Sequence, residues 1–162
     1  MKNKIPAPET ILPPPVGFSF MVIFYGIGNK PIPNGLDIRF QKVSGIGTTF
    51  ETEKVQQGSV RSGKQTSLPG EQKYPTLKLE RGLTTVNSPL AIELQAATAF
   101  GFINRHHVHI ILIDQREKPL RNWFFSCAYP VSWVISDFDA SQNQIVIETL
   151  EMRYENLRTI IL

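Results

Sequence analysis

From Val16 onward the apolar residues of this chain fall in short runs of period two, cut by glycine, proline and asparagine, and one stretch alone carries helical spacing. In "VGFSFMVIF", Phe18, Phe20, Val22 and Phe24 share one face. The breakers of "YGIGNKPIPNG" make a long turn down to Gly35, and a short second strand from Leu36 to Val43 runs into "SGIG". A third, Phe50 to Gln56, sets Thr52, Lys54 and Gln56 against Glu51, Glu53 and Val55, with almost nothing apolar to bury. The alternation from Tyr74 to Gly82 puts Leu77 and Leu79 on one side. A hairpin is expected from Arg105 to Ile113, a turn at "DQREKP", and Leu120 to Cys127, with "VSWVI" continuing that strand or beginning another. The last strand spans Ile145 to Tyr154.

The single helix is expected to start at Ser88 as N-cap with Pro89 at N1, the position where a helix tolerates proline. Leu90, Ile92, Leu94, Ala97 and Phe100 then form its apolar stripe, down to Gly101. About seven strands and one helix imply a mainly β, antiparallel domain: a two-sheet sandwich or partial barrel. Such a domain has edges to protect. Polar faces on strands that a buried sheet would make apolar fit a sheet completed by neighbouring chains.

A length of 162 residues suits one domain, read as 16–162, preceded by an extended proline-rich tail over 1–15 that holds five of the twelve prolines. Basic residues outnumber acidic ones by only 17 to 14, too little to argue for nucleic acid from charge. Local charge says more: between Lys54 and Lys78 five basic residues face one acidic. The segment from Gly58 to Gly70, "GSVRSGKQTSLPG", has only Val60 and Leu68 to anchor it and reads as a long, polar, basic arm. The one cysteine, Cys127, cannot form an internal disulfide and sits in an apolar run where a small buried hydrophobe would do. The sequence shows no signal-peptide pattern and no apolar window of membrane-spanning length, so an aqueous, cytoplasmic setting with no membrane contact is expected.

Chemistry-bearing patterns are few. His107 and His109 of "RHHVH" point to one side of a strand and could share an ion, but no third ligand stands at a telling distance, and polar histidines on a solvated or subunit-facing surface are the expected reading. No serine stands in a nucleophile elbow, and "GIGTTF" lacks the third glycine and the helix of a dinucleotide fingerprint. The acid pairs Glu51/Glu53, Asp137/Asp139 and Glu148/Glu151 read as solvated surface, and Trp123, Phe124, Phe125, Tyr129 and Trp133 as parts of a core strand. Accordingly no catalytic, metal or cofactor-binding residue and no cofactor is expected.

The order of the pieces resembles the tail-tube protein family of contractile phage tails and contractile injection systems. The resemblance spans Val16 to Leu157, and its most specific parts are "VSGIG", "KYPTLKLERG", "AYPVSW" and "IETLEMRYENL". The tail over 1–15 and the long "GIGNKPIPNGLD" turn depart from the compact tube subunit. The resemblance implies that six copies close into a ring, their sheets joining into one β-barrel around a channel, and that rings stack inside a sheath. The arm, represented by Gly58, Arg61, Gly63, Lys64 and Gln65, would then reach the neighbouring ring, while Thr52, Lys54, Gln56, His107 and His109 would face the lumen.

The implied partners are further copies of the chain, a sheath protein and baseplate or spike-hub proteins, with cargo or DNA passing through without specific binding. The particle would assemble in the bacterial cytoplasm and end in a phage tail or an injection particle. A specialised initiator or adaptor ring between the spike-baseplate hub and the tube is the alternative within the family. From other classes, a free β-sandwich binding module or a small metal enzyme using His107 and His109 remains open.

Overall fold

The structure is a computed structural model that describes residues 18–26, 40–56, 65–83, 88–137 and 144–160. The proline-rich tail, most of the long turn after Tyr25 and residues 58–64 of the arm lie outside the described residues. In chain order the elements are β1 (Ser19–Tyr25), β2 (Lys42–Ser44), β3 (Thr49–Gln56), β4 (Gln65–Lys73), β5 (Leu77–Gly82), α1 (Pro89–Phe100), β6 (His106–Ile113), β7 (Pro119–Ile135), β8 (Ile147–Arg153) and β9 (Asn156–Ile160).

Seven of the strands form one antiparallel sheet in the order β1-β6-β7-β8-β5-β2, with β9 also on β7. The long strand β7, of 17 residues, organises it. Its first half pairs with β6 on one side and β9 on the other. Its second half pairs with β8, from Tyr129 opposite Arg153 to Ile135 opposite Glu148. β8 and β9 therefore follow one another along the same side of β7, and the two halves of β7 belong to two layers. Between the halves Cys127 takes φ +53 and the register slips between Pro130 and Ser132, so a bulge turns the strand from one layer to the other.

One core fills the space between the layers. Val22, Phe24, Val108, Ile110 and Phe125 contribute from the first layer, Leu77, Leu79, Leu150 and Met152 from the second, and Leu90 and Leu94 from α1. The burial of β5 alternates residue by residue, as a half-buried strand requires. Helix α1 has the expected ends: Ser88 Oγ accepts from Ala91 N at 3.1 Å, Pro89 opens the first turn, and Gly101 closes the helix at φ +72.

Three expectations need correction. The segment 65–70, read as part of a polar arm, is strand: β4 pairs with β3 from Gln56 opposite Gln65 to Thr49 opposite Lys73, as a separate two-stranded sheet. Ile92 and Phe100, assigned to the apolar stripe of α1, are exposed, because only the Leu90–Leu94 face meets the core. Cys127 is only partly buried, being the residue at the bend of β7.

Candidate assembly interface

The four distinctive sequence pieces converge on two anchor points in the structure. At the first, Tyr154 of "IETLEMRYENL" donates its hydroxyl to the carbonyls of Gly45 and Gly47 of "VSGIG", at 3.4 and 3.3 Å. Tyr74 of "KYPTLKLERG" lies against the Tyr154 ring at 5.2 Å between centroids, and Phe125 meets it edge-on at 4.8 Å. Burial, reinforced by the neighbouring Tyr74, pushes the Tyr154 phenol up to about 12, so it remains a neutral donor. Gly45 is required here, because a Cβ would lie 1.9 Å from the Thr76 carbonyl oxygen and φ is +81.

At the second point Arg81 Nε donates to Glu148 Oε2 at 2.5 Å, and Trp133 Nε1 of "AYPVSW" donates to Glu148 Oε1 at 2.7 Å. Arg81 Nη2 reaches Ser88 Oγ at 3.4 Å, and its guanidinium lies 5.3 Å from the centre of the Phe40 ring. This corrects the sequence reading of Glu148 as solvated: it is buried, and its charge is balanced by an arginine 67 positions away in the chain. Glu151 fits the surface reading better, lying half-buried near Lys78 at 3.7 Å.

These anchors hold three surfaces in place. The first is the β3–β4 hairpin, which pairs with no other described strand. On it Thr52 and Phe50 are exposed, and Lys73 Nζ donates to Glu51 Oε1 at 2.6 Å, which raises the lysine pKa. Of the expected stacking arm, Gln65 begins β4, while Gly58, Arg61, Gly63 and Lys64 lie outside the described residues.

The second surface is the outward face of β1, β6 and the first half of β7. His107 is exposed and stacked on Phe124 at 5.5 Å, and His109, half-buried, meets the same ring edge-on at 6.1 Å, with Tyr25 beyond. Burial lowers the pKa of His109. His107 Nδ1 accepts from Cys127 N at 3.3 Å. Thr52, Lys54 and Gln56 are therefore not on the same sheet as His107 and His109; the structure places the two expected lumen sets on separate sheets. Among the described residues no cluster of three or more metal-ligating side chains occurs, and no helix is long and apolar enough to cross a membrane.

The third surface was not read from sequence. Phe100, Phe102, Ile103 and Val131 are exposed around the end of α1, where a groove of about 160 Å³ runs between the helix and the second half of β7. The signal lay in "AFGFIN", an apolar cluster straddling the helix stop at Gly101, where a solvated turn would ordinarily be polar.

The family model described as T4-like virus tail tube protein gp19 matches residues 16–158. No curated protein matches the sequence. Among solved structures, a chain of the anti-feeding prophage baseplate, 6-fold symmetrised, is 32% identical with a TM-score of 0.80, the match covering 93% of this chain and 97% of that one. A chain of the sheath/tube terminator of an extracellular contractile injection system is 22% identical at TM-score 0.72, covering 94% and 99%. A chain of the sheath-tube complex of such a system is 19% identical at TM-score 0.74, covering 92% and 93%. With the family model spanning most of the chain, this protein belongs to the T4-like tail tube protein family.

Proposed function

We propose that six copies of this chain close into a ring of the inner tube of a contractile injection particle or phage tail, and that rings stack to enclose a delivery channel. The observation that carries this is the β3–β4 hairpin, a two-stranded sheet apart from the rest. An isolated hairpin is marginal in water, so this one fits a role in which a second molecule completes it. It reaches the neighbouring ring, with the basic positions Arg61 and Lys64 toward acidic groups there. The β3 face of Thr52, Lys54 and Gln56 and the β6 face of His107 and His109 line the channel. The partners are sheath and baseplate-hub proteins, and cargo passes without specific binding; the chain acts as a structural part and catalyses nothing. Assembly takes place in the cytoplasm before the particle is completed.

The test is electron microscopy of the purified protein, alone and in particles. Six-fold rings that stack into tubes are the expected result, with an Arg61→Glu/Lys64→Glu variant giving rings that stack poorly. A subunit that remains a monomer at all concentrations defeats the reading.

One observation favours a more specific position. The 32% identical relative comes from a baseplate structure, whereas the relatives from the sheath-tube and terminator structures share 19% and 22%. On this reading the chain forms the ring that joins the hub to the tube. Copy number in purified particles separates the two: one or two rings' worth supports the joining ring, many rings the repeating tube.

A further inference from the structure

We infer that the cleft between helix α1 and the start of β6 is a binding site for a basic side chain, a lysine ammonium or an arginine guanidinium carried on an extended peptide of a partner protein. The cleft has a volume of about 800 Å³, with Pro89, Ile92, Glu93 and Ala96 of α1 on one side and Asn104 and His106 on the other. The spacing of 89, 92, 93 and 96 puts these four on one face of the helix. It is not the face of Leu90 and Leu94, which meets the core. The site stands on this chain's own residues, whichever ring the chain occupies.

Glu93, the one charged residue of α1, decides the chemistry of the ligand. His106 Nε2 and Asn104 Nδ2 both meet its Oε1, at 2.6 and 3.0 Å, and Oε2 has no partner among the described residues. The carboxylate is thus held at one oxygen and left open at the other, in a side chain 19% exposed. Nε2 must carry a hydrogen to meet a carboxylate oxygen, so the neutral ring has its lone pair on Nδ1. Nδ1 is also without a partner, in a side chain only 5% exposed. A Cβ on Gly26 would stand 3.6 Å from Nδ1, so bare glycine backbone lies over the ring at that point. A donor therefore reaches Oε2 directly, and Nδ1 by displacing Gly26. Two acceptors without donors, one of them on an anion, call for a ligand that brings N–H groups and a positive charge together. Among the described residues the cation that borders the cleft, Arg105, is already paired with Glu155 and lies 5.8 Å from the centre of the Tyr129 ring.

The rest of the helix wall is apolar. Pro89, Ile92 and Ala96 offer aliphatic surface beside the carboxylate, and Ile92 is 55% exposed although nothing in its neighbourhood is strongly polar except Glu93. Such a wall is what the stem of a lysine or arginine covers while its charged head pairs. From Pro89 to Ala96 the wall runs for about 10 Å of helix, longer than one such side chain, so the residues flanking it in a peptide also find surface to lie on. An anionic ligand would meet the charge of Glu93 head-on, and a wholly apolar one would bury that charge unpaired.

Fluorescence anisotropy tests this with the full chain and two fluorescein-labelled pentapeptides, Ala-Leu-Lys-Leu-Ala and the same peptide with norleucine for lysine, which keeps the stem and lacks the charge. The lysine peptide should bind about ten-fold more tightly than its neutral counterpart, and Glu93→Gln should erase that preference. Ile92→Arg, which sets a competing cation at an exposed position of the wall, should weaken the lysine peptide by about ten-fold as well. It keeps the test decisive if circular dichroism shows that Glu93→Gln does not fold. Equal binding of the two peptides by the wild type, or a lysine preference that survives in the folded variants, overturns the inference. Displacement of the peptide by an equal concentration of n-butylamine would assign the cleft to a free amine and overturn the peptide as its occupant. Native mass spectrometry of the same proteins supplies the last arm. Rings that form in the wild type and are lost in folded Glu93→Gln place a second copy of this chain in the cleft and overturn the assignment, whereas rings in both, with the lysine preference lost, support it.

Discussion

Arg81 and Glu148 form an ion pair at 2.5 Å with side chains only 3% and 6% exposed, and it joins β5 to β8 beneath the start of α1. With Trp133 on the second carboxylate oxygen and Ser88 beside the guanidinium, the pair connects both layers' shared strand to the helix cap. Removing one member leaves the other charge buried without its counterion. Glu148→Ala should therefore destabilise the subunit by about 3–5 kcal/mol, whereas Arg81→Met/Glu148→Leu should cost far less or nothing. Urea unfolding of the three proteins checks this, and equal losses in single and double variants would contradict it.

Ser88→Ala removes the acceptor for Ala91 N and a neighbour of Arg81 together. The cap alone is worth about 1 kcal/mol, and the cost here should exceed that. Ser88→Thr, which keeps the oxygen, should recover most of it. Thermal denaturation followed by far-ultraviolet dichroism gives the comparison.

Gly45→Ala should prevent folding or cost several kcal/mol, since the new methyl would overlap the Thr76 carbonyl and alanine is strained at positive φ. Gly47→Ala is the control: a Cβ there meets nothing within 4 Å, and the loss should stay below about 1 kcal/mol. Soluble yield and melting temperature of the two variants decide it.

Burial lowers the pKa of His109 from its ordinary value near 6.5, so the folded state favours the neutral ring. Between that lowered value and 6.5 the unfolded chain binds more protons than the folded one. The stability His109 contributes is thus full above pH 6.5 and lost as pH falls through the window below it. His109→Phe should flatten this part of the stability–pH curve of the subunit, and an unchanged slope would show that other groups set it.

Much of the fold was readable because period-two alternation needs no partner to be recognised: β1, β5, β6, β8 and the ends of α1 all lie close to where the pattern put them. β4 was missed because Gln65–Lys73 contains a proline and a glycine and little of the β-branched character that marks a strand. Its pairing to β3 supplies what its own composition does not. Glu148 was misread for a related reason. A buried carboxylate is recognisable only with its cation, and Arg81 stands 67 residues away. Helical spacing told which side chains of α1 share a face but not how wide the covering layer is, so Ile92 and Phe100 were placed inside when they lie outside.

In β7 one covalent backbone passes from the first layer to the second through the bend at Cys127. Layers joined only by side chains can slide when a load is applied, because dispersion contacts exchange at little cost. Here sliding would have to straighten a bulge and draw on peptide bonds directly, while β8 and β9 lie along nearly the same path as a second cable. A subunit built this way resists shear between its two layers as one continuous strut does, where two plates held only by their faces would slip.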